Sequence, residues 1–352
     1  MQYPVPVHLA LAAALSTAAL AGCGAELGAG ELSQAAFVCP EDVCGQNSPE
    51  VAHNGLWEAS LLGRADAHGL SIPTLGGNAY LTRYGVRYPI VVRDGRLSAA
   101  NKTRTLMGPD LVDSRIDVLR NGVLEFQIFI TAVHQVAKFA AAPQTAIESY
   151  TMTWFNPYTG ETGKSLCNQP LPNDKDYQAD LLGLPRGDTV LFEGDRFDVA
   201  SMTTSSRRDD TWFNFGCAGH TLAKLYLHRE TVANEPNTVW ERRQAMLKMF
   251  VADYCGVGIP FTLTGEPIAW ASDRQPSYPA NFTLTTLDAR WNETGALCLG
   301  EPRLAQTTNP DAALYYPQVE KLILDTCPKI PRCASLTDYS LGPARVVSAN
   351  RL

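Results

Sequence analysis

Apolar and polar residues alternate with a period of two along much of the chain, the pattern of strands that bury one face. The clearest stretch is 116–131, where the alternation runs on both sides of Asn121-Gly122. Asn-Gly readily takes the two positive φ angles of a type I′ turn, so a hairpin is expected there. Residues 84–93 alternate less regularly and end at Asp94-Gly95, a second hairpin signal. Residues 147–154 alternate and run into the turn-rich Asn156-Pro-Tyr-Thr-Gly160. A short strand pair is expected over 189–199 about Gly194-Asp195. Further strands are expected over 259–270 and 281–298, the latter turning between Asn292 and Gly295. Residues 170–185 read as a polar loop and 205–210 as a charged surface turn.

The period changes near Thr238. Trp240, Leu247 and Val251, with Met246, Phe250 and Tyr254, recur at helical spacing. Pro236 precedes them, Thr238-x-x-Glu241 has the form of a capping box, and Gly256 stands where a helix C-cap would fall. Shorter helices are expected over 219–227 and 315–324. The predicted fold is α+β: β-rich, mainly antiparallel strands with a few helices. The 27 Gly and 23 Pro agree with a body rich in turns.

Residues 7–20 are almost all small or apolar, too short a run to serve comfortably as a bilayer-spanning helix and of the length of a secretory h-region. The run ends in Leu20-Ala21-Gly22-Cys23, which resembles the bacterial lipobox. That resemblance implies a signal peptide over 1–22, a lipidated Cys23, and a tether over 23–50 partly pinned by Cys39 and Cys44. Gly24, rather than Asp, follows the cysteine, which favours the outer membrane. The expected partner is therefore a membrane, held through several acyl chains, since one alone anchors only marginally.

Setting Cys23 aside leaves an even number from the 9 Cys: Cys39, Cys44, Cys167, Cys217, Cys255, Cys298, Cys327 and Cys333. In an exported chain an even set suggests a disulfide-stabilised fold. Cys39/Cys44 and Cys327/Cys333 are close enough to close small loops, which would leave the other four for longer ones. The connectivity stays open at this level.

Net charge is −7 with no basic cluster, which disfavours nucleic-acid binding. The remaining organisation is read as a β-rich part over 51–200, a second part over 201–335 and a tail over 336–352.

Phe250-Val-Ala252-Asp253-Tyr254-Cys255-Gly256 resembles the ADYC domain, a family of uncharacterised bacterial proteins named for those four residues. Phe215-Gly-Cys217, Thr221-Leu-Ala-Lys224, Gly265-Glu-Pro-Ile268, Ala289-Arg-Trp291 and Ala296-Leu-Cys298 support the match over about 205–305. Cys44-Gly-Gln-Asn-Ser-Pro-Glu50 also looks like the start of such proteins. Leu225 departs from the family, at a place where a further cysteine is expected, which leaves the partner of Cys255 open. The resemblance implies an exported protein and brings no activity, cofactor or catalytic residue with it.

Cys217, His220 and Asp253 are the candidate catalytic residues. Cys217 and His220 are close enough in sequence to act as nucleophile and base, and Asp253 would be a base if buried. Cys255 sits at the expected end of a helix, where the macrodipole disfavours a thiolate. In an oxidising compartment a disulfide reading is favoured for both cysteines, and Asp253 is expected to bond the following loop. Trp291 is expected in a core rather than stacked on a sugar. No metal site, cofactor motif or hydrolase signature is present in the sequence, and none specifies a protein or glycan partner. The expectation is a non-enzymatic envelope protein, structural or binding, with a cell-envelope hydrolase as the alternative.

Overall fold

The computed structural model describes residues 44–46, 51–52, 56–136, 146–167, 184–185, 187–233, 236–263, 266–274, 284–307, 312, 314 and 316–351. The expected signal peptide, Cys23, Cys39 and most of the tether lie outside these residues, as does nearly all of the loop expected over 170–185.

Along the chain the strands are β1 (Cys44–Gln46), β2 (Glu58–Ser60), β3 (Leu70–Ser71), β4 (Thr74–Leu75), β5 (Asn78–Arg83), β6 (Val86–Arg93), β7 (Arg96–Ala100), β8 (Thr105–Met107), β9 (Arg115–Arg120) and β10 (Val123–Val136). There follow β11 (Ile147–Phe155), β12 (Thr162–Ser165), β13 (Asp188–Gly194), β14 (Phe197–Asp198), β15 (Thr203–Thr204) and β16 (Asp209–Cys217). Helices α1 (Thr221–Leu227) and α2 (Trp240–Val251) come next, then β17 (Pro267–Ser272), β18 (Leu284–Asn292), β19 (Gly295–Leu299), α3 (Val319–Thr326) and β20 (Val346–Arg351). The larger sheet runs β2-β16-β13-β11-β10-β9-β5-β6-β7-β8, and the smaller runs β1-β17-β20-β18-β19. The strand pairs within both are antiparallel, so the β-rich α+β expectation describes the molecule.

The hairpins form for the expected local reason. Asn121 and Gly122 take φ of 51° and 84° between β9 and β10, and Asp94 and Gly95 take 51° and 72° between β6 and β7. Tyr84 and Gly85 make a third such turn, so β6 begins at Val86 rather than at residue 84.

Alternation then separates two cores. Ile116, Val118, Ile128, Ile130, Leu191, Phe213 and Phe215 pack together on one side of the large sheet. Val190, Phe192, Leu222, Ala223, Phe250, Trp270 and Trp291 belong to the other core, which the helices join. β13 is buried at every position because both of its faces are covered. Each large apolar side chain so enclosed contributes roughly 1.5–3 kcal/mol. α1 lies close on β16: a Cβ at Gly216 would stand 3.0 Å from the Ala223 backbone nitrogen.

Some boundaries differ from expectation. α2 begins at Trp240 with Val239 as N-cap and no side-chain cap bond. The capping box does not form: the N-cap falls on Val239, one residue past Thr238, whose hydroxyl accepts a hydrogen bond from the Arg242 guanidinium. α2 ends at Ala252, which takes the left-handed conformation (φ 54°, ψ 41°), and Gly256 falls in the turn beyond. That glycine is required for a different reason: a Cβ there would collide with the Thr294 carbonyl oxygen. In the region expected as one strand over 259–270, only β17 forms, starting at Pro267. The strand pair expected over 189–199 does not form as one hairpin: β13 pairs with β11 and β16, and β14 pairs with β15. β16 lies inside the large sheet, between β2 and β13, although it follows residue 200.

Candidate functional site

The four residues Ala252 to Cys255 each hold part of the fold. Ala252 ends α2. The Asp253 carboxylate takes the Lys248 ammonium at 2.6 Å and accepts the backbone N–H groups of Val257 (3.0 Å) and Gly258 (2.8 Å). Both charged side chains are buried, and Lys248 also donates to the Ser201 carbonyl at 3.0 Å. The local loop bonds expected of Asp253 are therefore present. Tyr254 donates its hydroxyl to Asp288 at 2.6 Å. Burial, with the Asp288 charge adding to it, pushes that hydroxyl well above the usual phenol range.

Asp288 is the centre of a closed polar group. Besides Tyr254 it receives the Arg303 guanidinium (2.6 Å), the Arg303 backbone N–H (3.0 Å) and the Ser348 hydroxyl (2.6 Å). Trp291 donates to the Ser348 hydroxyl at 2.7 Å and stacks on Tyr254 with ring centroids 5.0 Å apart. Trp291 has no exposure, so it is a core residue and offers no sugar-stacking face.

Cys255 is bonded to Cys327, with Cα atoms 5.2 Å apart, which ties the turn after α2 to the end of α3. Cys298 is bonded to Cys333 (5.0 Å) and Cys167 to Cys217 (5.4 Å). Cys327 and Cys333 thus each reach a distant cysteine instead of closing the short loop their spacing allows. Cys44 lies in β1, with its backbone opposite Ala269, and its expected partner Cys39 is outside the described residues.

These bonds account for the candidate catalytic residues. Cys217 carries no thiol, since its sulfur is in the disulfide with Cys167. His220 is the N-cap of α1, and its backbone N–H donates to the Cys217 carbonyl at 3.0 Å. Asp253 is held by Lys248 and the 257–258 backbone. Cys217 and His220 share a backbone turn, and Asp253 has its own partners elsewhere.

A different constellation lies across three neighbouring strands. Asp188, the first residue of β13, has a fully buried side chain. Its Oδ1 accepts the Thr151 hydroxyl at 2.7 Å, and its Oδ2 accepts the Ser149 hydroxyl at 2.6 Å and His134 Nδ1 at 2.7 Å. Strand register places these groups: His134 on β10 stands opposite Ser149 on β11, and Thr151 stands opposite Asp188 on β13. The bridged Cys217 pairs with Thr189, one residue on, so a covalent staple sits beside the carboxylate. Ser149 and Asp188 are buried and Thr151 is partly so, while His134 has 39% of its side chain exposed. The sequence shows each of these as an ordinary polar position in a strand. Only the pairing of β10, β11 and β13 brings them together.

Two further buried groups are notable. The Lys224 amine on α1 is pushed down from 10.5 to about 7 by burial. The Glu266 carboxyl is pushed up from 4.5 to about 7, chiefly by burial, while the Thr307 hydroxyl donates to it at 2.8 Å. Among the described residues no three His, Cys, Asp or Glu side chains gather as a metal site.

The geometry defines a strand-rich, antiparallel, disulfide-bonded α+β protein whose central turn is fixed by Ala252, Asp253, Tyr254 and Cys255. The model of the ADYC domain matches residues 108–305, and the chain belongs to that family. The match begins well upstream of the motifs legible near 205 and takes in His134, Ser149, Thr151 and Asp188. No curated protein and no solved structure matches the chain.

Proposed function

We propose that this is an exported protein, lipid-anchored in the cell envelope through Cys23, with a structural or binding role. The observation that carries the reading is the cysteine pairing. Three bridges span loops with sequence separations of 50, 72 and 35 residues, and such bridges belong to oxidising compartments. The Leu20-Ala-Gly-Cys23 sequence supports the anchor. Gly24 supports an outer-membrane address, on the periplasmic or surface face. A structural or binding role is supported by the fate of the family residues, which are spent on a helix end, an ion pair, a buried polar centre and a disulfide.

Mass spectrometry of the mature N-terminus tests the address. The expected result is a chain beginning at Cys23 and carrying acyl groups. An unmodified Cys23, or cleavage elsewhere, overturns it.

A second reading, a cell-envelope hydrolase, is supported by one observation: a partly exposed imidazole bonded to a fully buried carboxylate. That arrangement does not involve Cys217, Asp253 or His220.

A further inference from the structure

Asp188 has more than it needs to be satisfied as a structural carboxylate. Thr151 and Ser149 already place one hydroxyl on each of its oxygens. The additional donor, His134, is well exposed where Asp188 and Ser149 are buried, and it stands two residues before β10 ends at Val136. A carboxylate on Nδ1 holds the proton there and leaves the lone pair on Nε2. It also fixes the ring plane and stabilises the imidazolium once Nε2 has taken a proton. Among the described residues Nε2 has no hydrogen-bond partner. A general base with its orienting group is therefore in place, and the open position is the one for the group whose proton it removes.

Ser149 is not that group. Its hydroxyl donates to the same Asp188 oxygen as His134 Nδ1, so it lies on the inner side of the ring. The proton must come from outside, from water or from a bound molecule.

We propose that His134 is the general base for hydrolysis of a carboxylic ester by water, with Asp188 as its positioning residue and Ser149 and Thr151 fixing Asp188. This rests on the hydrolase reading. Nε2 takes a proton from water while the water oxygen bonds to the ester carbonyl carbon and the carbonyl π pair moves onto its oxygen. When that pair returns, the carbon–oxygen bond to the alcohol breaks, and Nε2–H gives its proton to the departing oxygen. The products are an acid and an alcohol, the imidazole is regenerated, and nothing is oxidised or reduced. A single base suits an ester, whose alkoxide leaves with less proton assistance than the amine of an amide.

The test uses the mature, disulfide-bonded chain with p-nitrophenyl acetate as probe. The expected result is saturable hydrolysis that falls by about 100-fold or more in kcat for His134→Gln, the usual weight of a positioned base. Asp188→Asn should lower kcat with little change in KM and move the base limb of the pH profile, which a purely structural role would not do. His68→Gln, at an exposed histidine remote in sequence, should leave the rate unchanged. If Asp188→Asn fails to fold, modification of native protein by diethyl pyrocarbonate replaces it. Loss of activity should then track acylation of His134 mapped by mass spectrometry. Saturable hydrolysis that survives His134→Gln overturns the assignment but leaves a hydrolase. Hydrolysis by the unaltered protein no faster than by free imidazole at equal concentration overturns both.

Discussion

Asp288 and Arg303 meet side chain to side chain at 2.6 Å, and neither is exposed beyond 1%. Removing two charges from water is costly, and the attraction between them offsets that only when the remaining bonding capacity is also met. Here it is met on the Asp288 side and in part on the Arg303 side, whose buried Nε has no partner among the described residues. Asp288 takes Tyr254, Ser348 and the Arg303 backbone as well, and the guanidinium also donates to the Met249 carbonyl at 2.9 Å. Removing one partner strands the other. Arg303→Met is expected to lower unfolding free energy by roughly 3–5 kcal/mol, the usual cost of an uncompensated buried charge. The same substitution combined with Asp288→Asn should cost clearly less than the two single changes added. Urea denaturation of the single and double variants checks this, and simple additivity would refute the coupling.

Tyr254 gives a milder test of the same centre. Tyr254→Phe keeps the ring stacked on Trp291 and deletes only the hydroxyl given to Asp288. The expected loss is about 1–3 kcal/mol, that of leaving a buried acceptor one donor short. Near-ultraviolet circular dichroism should be retained, since the aromatic packing stays. A loss near zero would mean that Asp288 does not depend on the tyrosine.

The three disulfides predict a specific peptide map. Non-reducing digestion should yield Cys167 linked to Cys217, Cys255 to Cys327 and Cys298 to Cys333, with no peptide joining Cys327 to Cys333. Alkylation of the native protein without reductant should leave Cys217 and Cys255 unlabelled. Cys255→Ala, which opens a bridge across 72 residues, is expected to cost about 4 kcal/mol in the chain-entropy account. Thermal unfolding of the variant against the parent measures it.

What the sequence makes legible depends on how local the cause is. The β9–β10 hairpin is written in Asn121-Gly122 and the alternation beside it, because both the turn and the register act within a few residues. The existence of α2 is legible for the same reason. Its N-terminus is not, because Thr238 has the form of a cap but the helix starts one residue later, with Val239 as N-cap and the Thr238 hydroxyl on Arg242. Cysteine pairing is a matter of distance in space: Cys327 is near Cys333 in sequence but bonds to Cys255. The Asp188 centre was the least legible. His134, Ser149 and Asp188 come from three strands, and only their register shows that they touch. The loop bonds of Asp253 are legible from its place at a helix end, but its pairing with Lys248 is not, although the two are only five residues apart. The helix end, set by Ala252 rather than Gly256, is what folds one back on the other.

Lys224 and Glu266 make opposite contributions to stability across pH, and their signs can be separated. The Lys224 amine lies near 7 in the folded chain against an ordinary 10.5, because burial opposes its charge. Below pH 7 both states hold the proton, and the folded state carries the full cost of a buried ammonium. Between 7 and 10.5 only the unfolded state still holds it, so the cost is relieved as pH rises, by roughly 3–5 kcal/mol across that interval. Glu266 lies near 7 against an ordinary 4.5. Below 4.5 both states are protonated and there is no cost. From 4.5 to 7 the unfolded state alone loses its proton, so stability falls as pH rises and stays reduced above 7. Lys224→Met should therefore stabilise the protein at pH 6 and flatten its rise in stability toward pH 10. Glu266→Gln should leave stability at pH 4 nearly unchanged and raise it at pH 8. Denaturant midpoints at pH 4, 6, 8 and 10 for both variants and the parent measure these slopes. A Lys224→Met variant destabilised at every pH would mean that the amine has a partner in the folded protein.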